Sequence, residues 1–212
     1  MIELSLTDLL DITGGKATAT AAPDTVITSV TTDSREVVPG ALFVAKPGEF
    51  SDGHAFIDRA RAAGAVLALA ERVTYDEDRR EHPAVIVDDA VEAMGKIAAR
   101  IVAHLKEKND AKVVGITGSA GKTTTKDLLA GILAQVAPTV SPIGSYNGEV
   151  GVPLTVFNAT EETKYLVIEM GATGIGHLTY LTDMVHPQVG VVLCVGTAHA
   201  GEFGGVENIE KA

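Results

Sequence analysis

The chain has 212 residues, 46% of them hydrophobic and 21% charged, enough apolar material for one large or two small folded domains, which excludes a disordered tail. A formal net charge of -11 excludes a phosphate-backbone binder, because nucleic-acid affinity rests on clustered Lys and Arg; any anionic ligand must be held by local cations. The N-terminal "MIELSLTDLLDITGG" lacks the basic and apolar regions of a leader, no run approaches the roughly 18–20 apolar residues of a membrane span, and the one cysteine, Cys194, cannot form an internal disulfide. The expectation is a cytoplasmic protein without membrane insertion or a nucleic-acid partner.

In chain order, "VITSVTTDS", "ALFVA", "AVLALA" and "AVIV" predict short strands. They are punctuated by the turns "VVPG" and "KPGEFSDG" and by a helical stretch from about His54 to Ala63. Alternating strands and helices imply an α/β layer. From Asp88, the expected N-cap, "DAVEAMGKIAARIVAHLKEK" sets Val91, Met94, Ile97, Ala98, Ile101, Val102 and Leu105 at helical spacing. The polar end of this long amphipathic helix, "KEKND", marks a boundary between two domains, residues 1–108 and 109–212. The second part predicts strand "KVVGIT", a helix from Lys122 to about Gln135, strand "APTVS" and a short helix within "GSYNGEVGVPLTVFNA". Strand "KYLVIEMG", a helix near "GHLTYLTDM" and strand "QVGVVLCVG" follow. These Val/Ile/Leu runs suit central parallel strands covered on both faces, and ligands of such sheets gather beyond the carboxyl ends of the strands. Lys122, Glu169 and His199 stand at three of those ends.

The stretch "VVGITGSAGKTTTKD" leads an apolar strand through small residues into a helix. Unpaired backbone N–H groups then point into one concavity at the positive end of the helix dipole, a site for phosphate. The pattern G-x-x-x-x-G-K-[ST] is met only in part, since Ile116 occupies its first position. Its functional half survives. Gly118, Ser119, Ala120 and Gly121 allow close backbone approach, Lys122 reaches the β- and γ-phosphates, and Thr123, followed by Thr124, offers a hydroxyl to Mg2+. The plain alternative is an ordinary strand-to-helix turn with a surface lysine.

Glu169 follows "YLVI", which sets a carboxylate where a hard cation bound to phosphates needs an oxygen ligand; the alternative is a solvated strand-end acid. His199, in the glycine-bordered "GTAHAGEFGG", is a candidate metal ligand or phosphate orienter on the same strand-end logic. The other histidines have weaker cases, and His82 and His104 are expected to face solvent.

The order "TTDSREVVPGALFVAKPGEFSDGHAFI", "GITGSAGKTTTKD", "NGEVGVPLTV", "VIEMGATGIGHLTYL", "VGTAHAGEFGG" resembles the Mur ligases of bacterial cell-wall synthesis over nearly the whole chain. The resemblance implies an α/β protein with a small N-terminal substrate domain, followed by a phosphate-loop parallel-sheet ATPase domain incomplete at its C-terminal end. It implies an ATP- and Mg2+-dependent, monomeric peptide ligase working through an acyl phosphate. The "EMGA" and "AHAGEFG" segments favour UDP-N-acetylmuramoyl-tripeptide and D-alanyl-D-alanine as its substrates. By resemblance Lys122 grips the transferred phosphoryl group, while Thr123, Glu169 and His199 place Mg2+. Asn147 lies near the reacting phosphates, and Ser34, Arg35, Lys46, Asp52 and His54 hold the UDP-sugar.

Two positions depart from the family pattern, Gly148 and Cys194, each standing where an asparagine is usual. The family's third domain, and the carbamylated lysine expected just beyond Ala212, lie outside the sequence. Three other readings remain. A phosphate-loop kinase or GTPase-type switch would need a base-recognition motif such as N/T-K-x-D, which the sequence lacks. A non-catalytic UDP-sugar and ATP-binding module is the second, and a related folate- or amino-acid-adding ligase, without use for the UDP-sugar motifs, is the third.

Overall fold

In the computed structural model, which describes residues 1–48 and 51–196, the first helix is set by its own cap. The Ser5 hydroxyl accepts from the Asp8 N–H at 3.1 Å while the Asp8 carboxylate accepts the Ser5 N–H at 2.9 Å, a reciprocal capping box that starts α1 (Leu6–Thr13). Gly14, at φ 67°, ends it in the left-handed conformation that glycine adopts without strain. The sequence reading predicted no element here, although the S-x-x-D signature was present.

The chain divides into two compact units, Met1–Ile97 and Ala98–Ala212. In the first, β1 (Leu4–Ser5) pairs antiparallel with β3 (Val26–Ile27). The larger sheet has the order β2 (Lys16–Ala17), β7 (Ala84–Ile86), β6 (Ala65–Ala70), β5 (Ala41–Ala45), β4 (Ser29–Thr31), parallel except for β2. The single strand expected over "VITSVTTDS" is therefore two strands in different sheets. Thr28, between them, donates its N–H to the Gly40 carbonyl just before β5, where the chain passes from pairing with β1 to pairing with β5. A 3-10 turn, Gly53–Phe56, precedes α2 (Ile57–Ala62) where one continuous helix was expected. Ile57 and Ala60 of α2 pack on Phe43, Ala45, Ala68 and Ala70, small side chains that let the helix lie close to the sheet.

The long helix is α3 (Ala90–Asn109), and its cap is Asp89, not Asp88. Asp89 Oδ1 accepts from the N–H groups of Val91 at 2.8 Å and Glu92 at 2.9 Å, the second and third helical residues that an N-cap side chain can reach. Met94, Ile97, Ala98, Ile101, Val102 and Leu105 are buried as the periodicity required, whereas Val91 is only partly so. The division between the two units falls inside this helix.

The second unit contains β8 (Lys112–Thr117), α4 (Lys122–Leu133), β9 (Thr139–Val140), α5 (Gly151–Val156), β10 (Tyr165–Glu169), α6 (His177–Val185) and β11 (Val189–Val192). Its sheet is parallel in the order β11-β8-β10-β9. Helix α4 covers Val114, Ile116 and Val167 with Leu129, Ala130 and Leu133. The topology makes β8 an inner strand, with Ile116 opposite Glu169 and Thr117 opposite Val192, so three carboxyl ends meet around the phosphate loop. β11 departs from the expected two-sided burial: Val189 is 51% and Val192 69% exposed, because among the described residues β8 alone pairs with it. Among the described residues no helix is long and apolar enough to cross a membrane.

Candidate active site

The phosphate loop is held from beneath by backbone. Gly118 has φ 137°, and a Cβ on it would lie 3.1 Å from the Cys194 nitrogen and the Leu193 Cβ, so both its conformation and its crowding call for glycine. Ser119 donates its N–H to the Cys194 carbonyl at 2.9 Å, and its hydroxyl accepts the Gly196 N–H at 2.8 Å. Position 194 thus meets the loop through its main chain, which a cysteine supplies as well as an asparagine, and its thiol adds a long contact to the Ala120 carbonyl at 3.8 Å. Gly148 likewise acts through its carbonyl, accepting the Val152 N–H at 2.9 Å.

Gly121, at φ 82°, is the N-cap of α4 and provides no side-chain cap. The first intrahelical bond runs from the Thr125 N–H to the Gly121 carbonyl, so the amides of Lys122, Thr123 and Thr124 face outward at the positive end of the dipole. Lys122 Nζ lies across the loop, donating to the Gly118 carbonyl at 2.7 Å.

A cleft of about 360 Å³ opens over this turn, lined by residues 119–124 with Ser145, Asn147 and Glu169. It brings together the predicted residues Ser119, Ala120, Gly121, Lys122, Thr123, Thr124, Asn147 and Glu169. Gly118 does not line it. Ser145, in the loop before α5, was missed; its position two residues before Asn147 was the only signal available. Glu169 ends β10 and is 1% exposed. Its Oε1 accepts from Asn147 Nδ2 at 2.8 Å, and its Oε2 has no hydrogen-bond partner among the described residues. A buried oxygen left so costs on the order of 1–3 kcal/mol, more if charged, unless a cation meets it. With the Thr123 hydroxyl in the same cleft, the donor set is all oxygen and suits Mg2+. No group of three His, Cys, Asp or Glu side chains converges among the described residues, so phosphate oxygens and water would complete such a shell. His199 lies outside the described residues.

The substrate-side candidates gather at one edge of the first unit. Ser34 and Arg35 follow β4, Lys46, Asp52 and His54 follow β5, and these strands are parallel neighbours. Ser34 is buried. Arg35 is committed to Asp33, donating from Nε at 2.9 Å, and its guanidinium pulls the Asp33 carboxyl down to about 2. Lys46 is half-buried, and its carbonyl accepts the Gly53 N–H at 2.9 Å, closing the excursion on which Asp52 sits. Asp52 accepts from Arg72, and Arg72 first, then the His54 amide and ring, hold its carboxyl well below the ordinary range. The His54 ring is buried, with Nδ1 2.6 Å from Asp52 Oδ1 and Nε2 accepting the Glu71 N–H at 3.0 Å. That acceptor role places its proton on Nδ1. Both ring nitrogens are engaged, so the histidine fixes Asp52. Glu71 and Arg72, at the end of β6, were missed because only the sheet brings them beside Asp52.

His82 corrects another expectation. It is 2% exposed, between Thr74 Oγ1 and Asp58 Oδ1, each at 2.8 Å, because the segment after β6 folds back over α2. His104 is partly exposed and pairs with Glu161.

These features define a class, the phosphate-loop α/β protein with a parallel sheet and a second α/β unit before it. A profile of the Mur ligase family, catalytic domain, matches residues 26–102, and one of the Mur ligase middle domain matches residues 116–212. The UDP-N-acetylmuramoyl-tripeptide–D-alanyl-D-alanine ligase of Mycobacterium tuberculosis is 38% identical over all of this chain and 45% of its own length. A crystal structure of MurF from Acinetobacter baumannii superposes with TM-score 0.89 at 35% identity, covering 99% of this chain and 45% of that one. MurF ligase from Thermotoga maritima, in complex with ADP, gives 0.74 at 37% identity, covering 86% of this chain and 41% of that one. The chain belongs to the Mur ligase family. It spans about 45% of the length of the curated relatives it matches.

Proposed function

We propose that this chain is the UDP-sugar- and ATP-handling part of a cytoplasmic, monomeric ligase that joins D-alanyl-D-alanine to UDP-N-acetylmuramoyl-tripeptide in peptidoglycan synthesis. One observation carries the chemistry: a single cleft holds Lys122, the free amides of α4 and the unpartnered Oε2 of buried Glu169. The choice of substrates is supported by relatives of that name, similar over the whole chain. Residues 1–108 are assigned to the UDP-sugar and 109–212 to ATP, with Ser34, Lys46 and Asp52 toward the sugar nucleotide and His54 behind Asp52.

The reaction brings two anions into contact. An oxygen of the peptide carboxylate attacks the γ-phosphorus and ADP leaves; the dipeptide amine then attacks the acyl carbon, phosphate leaves and the amine loses a proton. Lys122 and the α4 amides offset the repulsion between carboxylate and phosphate, an effect strengthened where water is excluded. Thr123 and Glu169 would hold Mg2+, with His199 as a further ligand; the ion supplies charge neutralisation of the phosphates. Asn147 orients Glu169 through its amide.

The test is calorimetric titration of the full-length protein with UDP-N-acetylmuramoyl-tripeptide and with ATP in Mg2+, followed by phosphate release on adding D-alanyl-D-alanine. Binding of both ligands, UDP competition for the first, and phosphate release requiring all three substrates are expected. Binding of ATP without the UDP-peptide would refute the substrate assignment.

A further inference from the structure

We infer that Lys126 is a positioning residue for the nucleotide: its buried ammonium fastens the loop carrying Ser145 and Asn147 to α4 and so sets Glu169 against the phosphate loop. The assignment rests on the cleft being the ATP and Mg2+ site proposed above.

Lys126 stands one helical turn after Lys122 and is 1% exposed. Lysine is seldom buried so completely, because removing an ammonium from water costs several kcal/mol unless its donors are met. Here they are met: Nζ donates to the carbonyls of Pro142 at 2.9 Å and Gly144 at 3.1 Å and lies 2.6 Å from Asp127 Oδ1. An ammonium has three protons, so its capacity is used, and two of the three go to the main chain of one loop. Ile143, between those carbonyls, is 81% exposed and gives the loop no apolar anchor. From Gly144 the chain enters the cleft at Ser145 and Asn147. Asn147 then makes two contacts at the end of β10, by its amide to Glu169 Oε1 and by its carbonyl, which accepts the N–H of Gly171, two residues past the strand, at 2.8 Å. Polar contacts at each end of the short stretch 144–147 therefore join the helix that begins with Lys122 and Thr123 to the carboxylate across from them. Without the ammonium the carbonyls of Pro142 and Gly144 lose a charged donor, and the Asn147–Glu169 contact loses its fixed end.

A double-mutant cycle on the full-length protein tests this, with Lys126→Met, Asn147→Ala and the pair, reading calorimetric affinity for ATP in Mg2+. Each single change is expected to weaken binding by about tenfold, the scale of losing an orienting partner of a metal ligand. The pair should be no more than about twofold worse than the weaker single variant, because both act through one chain of contacts. Independent, multiplying losses, or Lys126→Met binding within about twofold of wild type, overturn the assignment. Should Lys126→Met not fold, Lys126→Gln, which keeps an amide donor, enters the same cycle. Lys122→Ala separates the two ideas. Loss of ATP binding in that variant upholds the cleft as the nucleotide site whatever Lys126 does, and wild type that fails to bind ATP refutes the site and this inference with it.

Discussion

Glu169 shows what one buried oxygen can decide. Its Oε1 is committed to Asn147 and its Oε2 to no donor among the described residues, so converting it to an amide removes the negative charge while keeping size and shape. In the proposed ligase, Glu169→Gln is expected to raise the Mg2+ concentration for half-maximal activity by roughly tenfold or more, and an unchanged titration would remove Glu169 from the proposed metal site. Asp52 carries a pH signature. Its folded carboxyl is held below the unfolded value by Arg72 and His54, so the unfolded state binds more protons, and stability from this pair is complete at neutral pH and lost as pH falls below about 4. Urea midpoints of Asp52→Asn and wild type should therefore differ at pH 7 and converge in acid. A pH-independent gap would mean that the charge of Asp52 does not matter. Glu169 was legible because a single acid ended an apolar run. Arg72 was not, since nothing in its neighbours announces a partner 20 residues away.

Among the elements, α3 is the one that periodicity described best, because a long helix repeats its signal over several turns. Leu105 is fully buried in it, so truncating it removes apolar contacts from the core. Leu105→Ala is expected to cost about 2–5 kcal/mol of unfolding free energy, measurable by urea denaturation of the full-length protein, and a loss under about 1 kcal/mol would show that the helix packs loosely there. Short elements were less legible. The split of "VITSVTTDS" turns on Thr28 bonding to Gly40, a tertiary contact, and β9 shrinks to Thr139–Val140 because only those residues pair with β10. α1 escaped because its eight residues offer little more than two turns of periodicity, although its capping box was written in the chain.

Across the whole molecule, two units carry separable duties in the proposed ligase. Lys122 Nζ bonds to the phosphate loop, at the Gly118 carbonyl, so Lys122→Ala should lower phosphoryl transfer by at least about a hundredfold while UDP-peptide affinity stays within about threefold of wild type. Retained turnover above about a tenth of wild type would defeat the role of the lysine. The sequence alone determined the α/β class, the phosphate loop and the family, because these rest on local signals: apolar strands, glycines before a helix, and motifs in a set order. It could not say which strand ends meet. That depended on the order β11-β8-β10-β9, which places Glu169 beside the loop, and on parallel pairing of β4, β5 and β6, which collects Asp52, His54 and Arg72. Strand order is a property of hydrogen bonds between segments far apart in the chain. Only the folded sheet contains them, and with them the choice of which polar groups are satisfied by each other and which are left for a ligand.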